Sequence, residues 1–343
     1  MHGVSLLWAL RSPCNLGCRY CYFGTIEEHR QAMPAQAGML SHLARTDLEL
    51  ATIAAFVQTL PASRVERIFL AGGEPLIWPP IMDVVAGIKA AGVQVVLCTN
   101  GIPLNRPEVV EAILTTGVDA VSVSLDSADP DYNDRWRPAR NGQHGHGDVV
   151  AGIQALITAR GDDRTPRVGI YSVITRQNID AVTETAALAA RLGCDYFVPQ
   201  PIALEPDHAL HQQLSLTPTD AHDLDAAFAQ LYAAPPVQLP APSYPGQVVK
   251  AVTAERPGFV RCCFGGTDLF FIEPDGSVWD CPSGLKIHAD AAGSARRSIR
   301  GASATTLFGR GGGCADCHLF SADCVNMWPL MGFAEFLPEG SPS

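Results

Sequence analysis

Between residues 1 and about 205, runs apolar at nearly every position alternate with longer stretches whose apolar residues recur every three or four positions. Runs of the first kind read as buried strands and those of the second as amphipathic helices. VSLLWAL is a strand entering a cysteine loop, DLELATIAAFVQTL a helix, and RIFLAGGEP a strand with a Gly-rich turn. IMDVVAGIKAAG, VQVVLCTNG and PEVVEAILTTG follow as helix, strand and helix, the last closed by Gly117. VDAVSVSLD, VVAGIQALITARG, VGIYSVITR, AVTETAALAARLG and CDYFVPQPI continue the alternation. Six strands joined by helices imply parallel pairing with right-handed crossovers, hence an α/β barrel or an open doubly wound sheet.

In either architecture the chemistry lies at the C-terminal ends of the strands. The cysteine loop, Gly72-Gly73-Glu74-Pro75, Asn100-Gly101 and Ser124-Leu125-Asp126 all fall there. From 206 to 260 the pattern changes to a connector with one clear helix, DAHDLDAAFAQLYAA, broken by Pro235, Pro236, Pro240, Pro242, Pro245 and Pro257. Residues 261–330 are expected to form a second, small unit, and 331–343 a tail. Within that unit FFIEPDGSVWDCP reads as a β-hairpin around Pro-Asp-Gly, and SARRSIRGASATTLFGRGGG as loop.

Composition narrows the classes. With 47% hydrophobic and 17% charged residues over 343 positions, the chain can bury a large core. It lacks an apolar stretch long enough to span a membrane, and MHGVSLLWALRSPC lacks the basic start of a signal peptide. A cytoplasmic location is the expectation. A net charge of −11 with no basic run argues against a nucleic-acid partner.

Eleven cysteines change the picture most. The number is odd and the residues are clustered, which points to metal rather than disulfides. Cys14, Cys18 and Cys21 form a CxxxCxxC, three thiolates that would hold three irons of a [4Fe–4S] cluster and leave the fourth open to an exogenous ligand. Tyr20, Tyr22 and Phe23 would shield the cube from water. A zinc knuckle completed by His29 or a distant residue is the weaker alternative, because zinc sites usually build from CxxC pairs.

CxxxCxYC near the N-terminus, Gly-Gly-Glu-Pro after the next strand, then TNG and SLD resemble the radical SAM superfamily in order and spacing. The resemblance implies a partial (β/α)6 TIM-like barrel. It also implies that S-adenosylmethionine (SAM) chelates the open iron and is cleaved, after one-electron reduction by a flavodoxin- or ferredoxin-like donor, to a 5′-deoxyadenosyl radical. Carried over residue by residue, Gly72, Gly73, Glu74 and Pro75 would meet the methionyl amino group and Ser124 the ribose or carboxylate. Asn100 and Asp126 hold lesser claims, and Arg137 or Arg140 would reach the SAM carboxylate.

The C-terminal cysteines resemble the SPASM and twitch extensions of that superfamily. Cys263, Cys281, Cys314 and Cys317 form the twitch pattern and would hold one auxiliary [4Fe–4S] cluster; a structural zinc ribbon is the alternative. Sequence alone does not choose between Cys262 and Cys263. Cys324 is left as a substitute ligand, a hydrogen-atom donor to a substrate radical, or a small buried hydrophobe. Cys98 and Cys194 read as core, and His144 with His146 as an exposed loop pair. Tyr171, Gln200 and Glu205, on or past strands five and six, would line the substrate cavity.

The expected activity is hydrogen abstraction. The substrate is either a sugar- or aminocyclitol-like small molecule, dehydrogenated or epimerised in natural-product biosynthesis, or a peptide or protein. The position of Cys14 near the start, with no leader-peptide-binding domain before it, favours the small molecule. A non-catalytic zinc or iron–sulfur protein is the alternative from another class.

Overall fold

The structure, a computed structural model, describes residues 3–22, 47–140, 142, 145–204, 206–254, 258–282, 297–309 and 316–337, with the side chains of 318 and 319 excepted. Phe23, His29, His144, Glu205 and Cys314 lie outside these residues.

Strands β1 (Val4–Arg11), β2 (Val65–Gly72), β3 (Gln94–Thr99), β4 (Ala120–Ser124), β5 (Arg167–Ile174) and β6 (Tyr196–Pro201) pair in parallel, each with the next along the chain. The crossovers carry helices α1 (Leu50–Val57), α2 (Ile81–Ala90), α3 (Pro107–Thr115), α4 (Pro130–Trp136), α5 (His146–Arg160) and α6 (Val182–Leu192). The starts and stops follow local chemistry. Pro107 opens α3, where its missing N–H costs nothing, and Gly193 ends α6 at φ +83°. The outcome is the mixed α/β sheet of a partial TIM barrel.

Strand alternation sorts the core into two layers. Leu6, Trp8, Leu10, Ile68, Leu70, Val95 and Leu97 face the helices, whereas Leu7, Ala9, Phe69, Ala71 and Val96 face the concave side. Helix α4 lies in a stretch where the hydrophobic pattern shows no helix.

The connector holds three helices: α7 (His211–Leu214), α8 (Ala221–Ala233) and α9 (Tyr244–Thr253). Helix α9 lies in the stretch read as Pro-broken, because Pro245 falls in its first turn, where proline is tolerated. The Tyr244 hydroxyl donates to the Pro199 carbonyl at 2.8 Å and ties α9 to β6.

Beyond the connector lie β7 (Gly258–Arg261), β8 (Leu269–Ile272), β9 (Ser277–Trp279), β10 (Arg297–Ser298), α10 (Ala304–Phe308), β11 (Asp316–Phe320) and α11 (Ala322–Met331). The β8–β9 hairpin forms as the Pro-Asp-Gly turn requires. It also extends the main sheet, because β8 runs parallel to β1 from Ser5 opposite Leu269 to Trp8 opposite Ile272. Helix α10 corrects the loop reading of its segment; the Ser303 hydroxyl caps it by accepting from the Thr306 N–H.

Helix α11 and the turn after it plug the concave face. Phe333 stands edge-on to Phe69 at 5.1 Å and to Tyr196 at 5.5 Å, and Phe336 packs on Tyr196 at 4.9 Å. Both phenylalanines are essentially fully buried, so each contributes roughly 1.5–3 kcal/mol. The plug fills the end of the concave face where β6 begins and leaves a cavity at the C-terminal ends of the strands.

Candidate active site

Strand β2 ends against the chain entering the cysteine loop. Gly73 N–H donates to the Arg11 carbonyl at 2.7 Å and Glu74 N–H to the Pro13 carbonyl at 2.9 Å, prolonging the β1–β2 ladder past both strands. Only glycine permits this approach. A Cβ on Gly73 would sit 2.1 Å from Pro13 O, and one on Gly72, at φ +120°, would sit 2.5 Å from Arg11 O.

Glu74 is buried and turned away from the cavity. Its carboxylate accepts from Leu76 N–H at 3.0 Å, Thr99 Oγ1 at 2.8 Å and Asn100 N–H at 2.7 Å, stapling β2 to the end of β3. Burial raises its pKa to about 7, against the opposing pull of these bonds. Asn100, positioned by that staple, donates from Nδ2 to Asn15 Oδ1 at 2.6 Å and so holds the cysteine loop from β3.

The loop after α4 grips the cysteine loop from the other side. Gly17 N–H donates to Pro138 O at 2.8 Å, Arg19 N–H to Trp136 O at 2.9 Å, and Arg140 N–H to Asn15 O at 3.0 Å. Beneath these contacts Asp126 is a hub: its carboxylate accepts from Tyr20 Oη at 2.5 Å, Val173 N–H at 2.8 Å and Arg137 at 3.1 Å. Burial opposes the charge on Arg137, but the Asp126 carboxylate outweighs it and the net pKa shift is upward.

These elements frame one cavity of about 240 Å³. Its wall brings together Cys14, Cys18, Cys21, Gly72, Gly73, Asn100, Ser124, Arg137, Tyr171 and Gln200. Glu74, Pro75, Asp126, Arg140 and Cys324 are not on that wall; Glu74 and Asp126 instead brace residues that are. Cys98, read from sequence as core, lies on the concave face and lines the cavity too.

The thiols suit a cube. All three line the same wall, and a cube takes its thiolates at separate corners. Burial, then the nearby Glu74 charge, pushes the Cys14 thiol up to about 12, so a cation is needed to hold it as thiolate.

The second cysteine group forms where β7 and β11 pair, with Cys317 opposite Val260. A Cβ on Gly265 would meet Cys281 Cβ at 3.3 Å and Cys263 Sγ at 3.5 Å, so those two cysteines flank one glycine. Cys263 Sγ accepts from Gly265 N–H at 3.4 Å, whereas Cys262 is exposed at φ +55°. The Cys324 thiol, raised to about 11 chiefly by burial, feels Cys317 and Cys263. Tyr22 joins the two groups: it follows Cys21, and its hydroxyl donates to Asp323 Oδ1 at 3.3 Å beside Cys324.

Asn326, Met327 and Leu330 of α11 complete the cavity wall and were not singled out from sequence. A polar Asn on the buried side of an otherwise apolar helix, VNMWPLM, was the available signal.

A parallel barrel with three thiols and a Gly-Gly turn on one rim defines an iron–sulfur enzyme class. The model of the radical SAM superfamily matches residues 13–189, and the chain belongs to that superfamily. Membership implies SAM and a [4Fe–4S] cluster as cofactors. The chain is 26% identical over 291 residues to the AdoMet-dependent heme synthase of Methanosarcina barkeri, covering 80% of this chain and 76% of that one. It is 28% identical over 190 residues to the PqqA peptide cyclase of Ruegeria pomeroyi, covering 55% of this chain but only 45% of the cyclase. The fold superposes on native anSMEcpe with bound AdoMet at a TM-score of 0.63, with 14% identity and coverage of 97% and 98%. No helix among the described residues is long and apolar enough to cross a membrane.

Proposed function

We propose that this radical SAM enzyme abstracts a hydrogen atom from an uncharged group of a peptide substrate held in the cavity between β4–β6 and α11. The observation that carries the reading is the cavity wall. All three loop thiols and the Gly-Gly turn stand on one side, with a largely apolar face of Val173, Pro201, Ile202, Met327 and Leu330 completing it. Arg137 is the one charged side chain among the described lining residues apart from the thiols, and it is paired with Asp126.

Cys14, Cys18 and Cys21 would hold the cluster, and Gly72, Gly73, Asn100, Ser124 and Arg137 would hold SAM. When bound, the pair supplies a 5′-deoxyadenosyl radical on one-electron reduction by an external donor. The chain's own residues orient the reactants and exclude water. The Tyr20–Asp126–Arg137 network fixes the loop, and the α11 plug closes the cavity at the end opposite the strands' C-termini.

An aminocyclitol carries an ammonium group, and no carboxylate lines the cavity among the described residues. This favours a neutral peptide group over the small-molecule substrate. The similarity to a peptide cyclase supports the same choice. Cys263, Cys281, Cys314 and Cys317 would hold one auxiliary [4Fe–4S] cluster in a twitch-like unit. Cys324 is absent from the cavity wall and feels Cys317 and Cys263, which favours a substitute ligand over a hydrogen donor.

The test is release of 5′-deoxyadenosine from anaerobically reconstituted protein given SAM and dithionite. Release, stimulated more by neutral peptides than by aminocyclitols, is expected. Iron-loaded protein that releases none removes the reading, and stimulation by aminocyclitols alone restores the small-molecule substrate.

A further inference from the structure

Cys21 stands between two tyrosines, and each tyrosine reaches a buried aspartate. On one side Tyr20 Oη donates at 2.5 Å to Asp126, an acid of the barrel that is 1% exposed. On the other Tyr22 Oη donates at 3.3 Å to Asp323, an acid in the first turn of α11 that is 2% exposed. Shielding a cluster needs only an aromatic ring, which phenylalanine would supply; the Tyr22 hydroxyl is explained by its acceptor. The Tyr22 contact is longer than the roughly 2.7–2.8 Å usual for O–H···O, whereas that of Tyr20 is closed. It therefore has room to tighten or part as α11 moves.

Asp323 belongs to the second cysteine group. It precedes Cys324, and Ser321 Oγ, just before α11, donates to its other oxygen at 3.2 Å. The Tyr22 hydroxyl feels the charges of Cys281 and Cys324 as well as that of Asp323. Cys263 in turn feels Cys317, and Cys324 feels both. Burial raises the Cys263 and Cys324 thiols, so these cysteines gather where a cation would hold them as thiolates. Strand β11 ends at Phe320 and α11 begins at Ala322. A metal that ties Cys317 of β11 to its neighbours would therefore fix the turn that presents Asp323.

We propose that Tyr22 and Asp323 are positioning residues that couple the two cysteine groups, so that metal in the second strengthens the hold of the Cys14–Cys21 loop on its cluster. With the turn before α11 fixed, Asp323 stays against Tyr22, and Tyr22 holds the backbone at Cys21. With the second group empty the turn loosens, and Cys21 is left to the Tyr20–Asp126 anchor. The coupling is reciprocal, so a filled loop also favours metal in the second group. The assignment rests on the reading of Cys14, Cys18 and Cys21 as ligands of the SAM-binding cluster and of the second group as a metal site. It names how one regulates the other.

The readout is the lifetime of the first cluster rather than turnover. Anaerobically reconstituted protein is mixed with excess bathophenanthroline disulfonate, and samples taken over time are reduced with dithionite and frozen for electron paramagnetic resonance. The signal that added SAM displaces is that of the cluster with the open iron. Tyr22→Phe removes a hydrogen bond to a buried acid and should shorten the half-life of that signal by ~5-fold or more. Emptying the second group with Cys263→Ala and Cys281→Ala should shorten it by a similar factor. Combined, the two lesions act on one contact, so the half-life should stay within about 2-fold of either alone. Tyr20→Phe, which breaks the other anchor, should instead multiply with the second-group lesion.

A Tyr22→Phe half-life equal to the parent's overturns the proposal. So does a second-group lesion that acts as strongly on Tyr22→Phe as on the parent. Asp323→Asn, which removes the charge and keeps every cysteine, gives a second cycle with Tyr22→Phe; effects that multiply there overturn the proposal even where the double-cysteine variant does not fold. Iron-loaded parent with no SAM-displaced signal, or a parent whose second group takes no metal, removes the underlying reading as well, a result distinct from two filled groups that do not couple.

Discussion

Gly73→Ala is the sharpest perturbation of the rim. A Cβ built there lies 2.1 Å from Pro13 O, 2.5 Å from Ser12 O and 2.6 Å from Pro13 C, where real contacts are essentially never under 3.0 Å. All three atoms are backbone, so no side chain can swing aside, and the chain leading into Cys14 must retreat by at least ~0.9 Å, the shortfall at Pro13 O. The two hydrogen bonds from Gly73 N–H and Glu74 N–H to Arg11 O and Pro13 O must stretch with it. Overpacking of this kind costs about 1–3 kcal/mol. At roughly 2–4 °C per kcal/mol for domains of a few hundred residues, the thermal midpoint should fall by about 2–12 °C. The displaced Cys14 should also cost iron. Anaerobic reconstitution followed by iron and sulfide analysis, with thermal unfolding in parallel, measures both. A variant with the parent's iron and midpoint would refute the argument that these glycines exist to let the cysteine loop close on β2.

Asp126→Asn leaves the Arg137 guanidinium buried beside a neutral amide. Both side chains are at most 10% exposed, so a loss of about 3 kcal/mol or more is expected in denaturant unfolding. Cys263→Ala should lower iron per chain, whereas Cys262→Ala, whose thiol faces solvent, should retain the parent's content. His146, read from the sequence as part of an exposed loop, instead opens α5 and is buried; burial holds its pKa below its ordinary 6.5, so the folded chain favours the neutral ring. Stability from this group is present above pH 6.5 and is lost as the pH falls through that value; His146→Asn should flatten the unfolding free energy between about pH 7.5 and 5.5.

The six strands and five of the crossover helices were legible because each is a run of one period with Gly or Pro at its ends; Gly193 and Pro107 mark stops and starts that the chain obeys. CxxxCxxC and Gly-Gly were legible as chemistry because their spacing is local. What reads poorly is whatever acquires its role from distant partners. Glu74 looks like a ligand contact in sequence, yet its three hydrogen bonds come from Leu76, Thr99 and Asn100 and make it a brace. Helix α4 has no apolar periodicity, and its part in the site shows only in the folded chain, where the Trp136 carbonyl at its end and the Pro138 carbonyl just past it hold the cysteine loop. The parallel pairing of β8 with β1 joins residues more than 250 positions apart, and nothing in the hairpin's own pattern announces it. Asn326 could be seen as odd but not placed, since its cavity exists only once α11 has folded against β6.

The most direct test of the central claim is iron and sulfide per chain after anaerobic reconstitution, in the parent and in a Cys14→Ala, Cys18→Ala, Cys21→Ala variant. The account predicts about eight irons in the parent and about four in the variant, one cube lost and one kept. Equal iron in the two proteins, or stoichiometric zinc in place of iron, would contradict it.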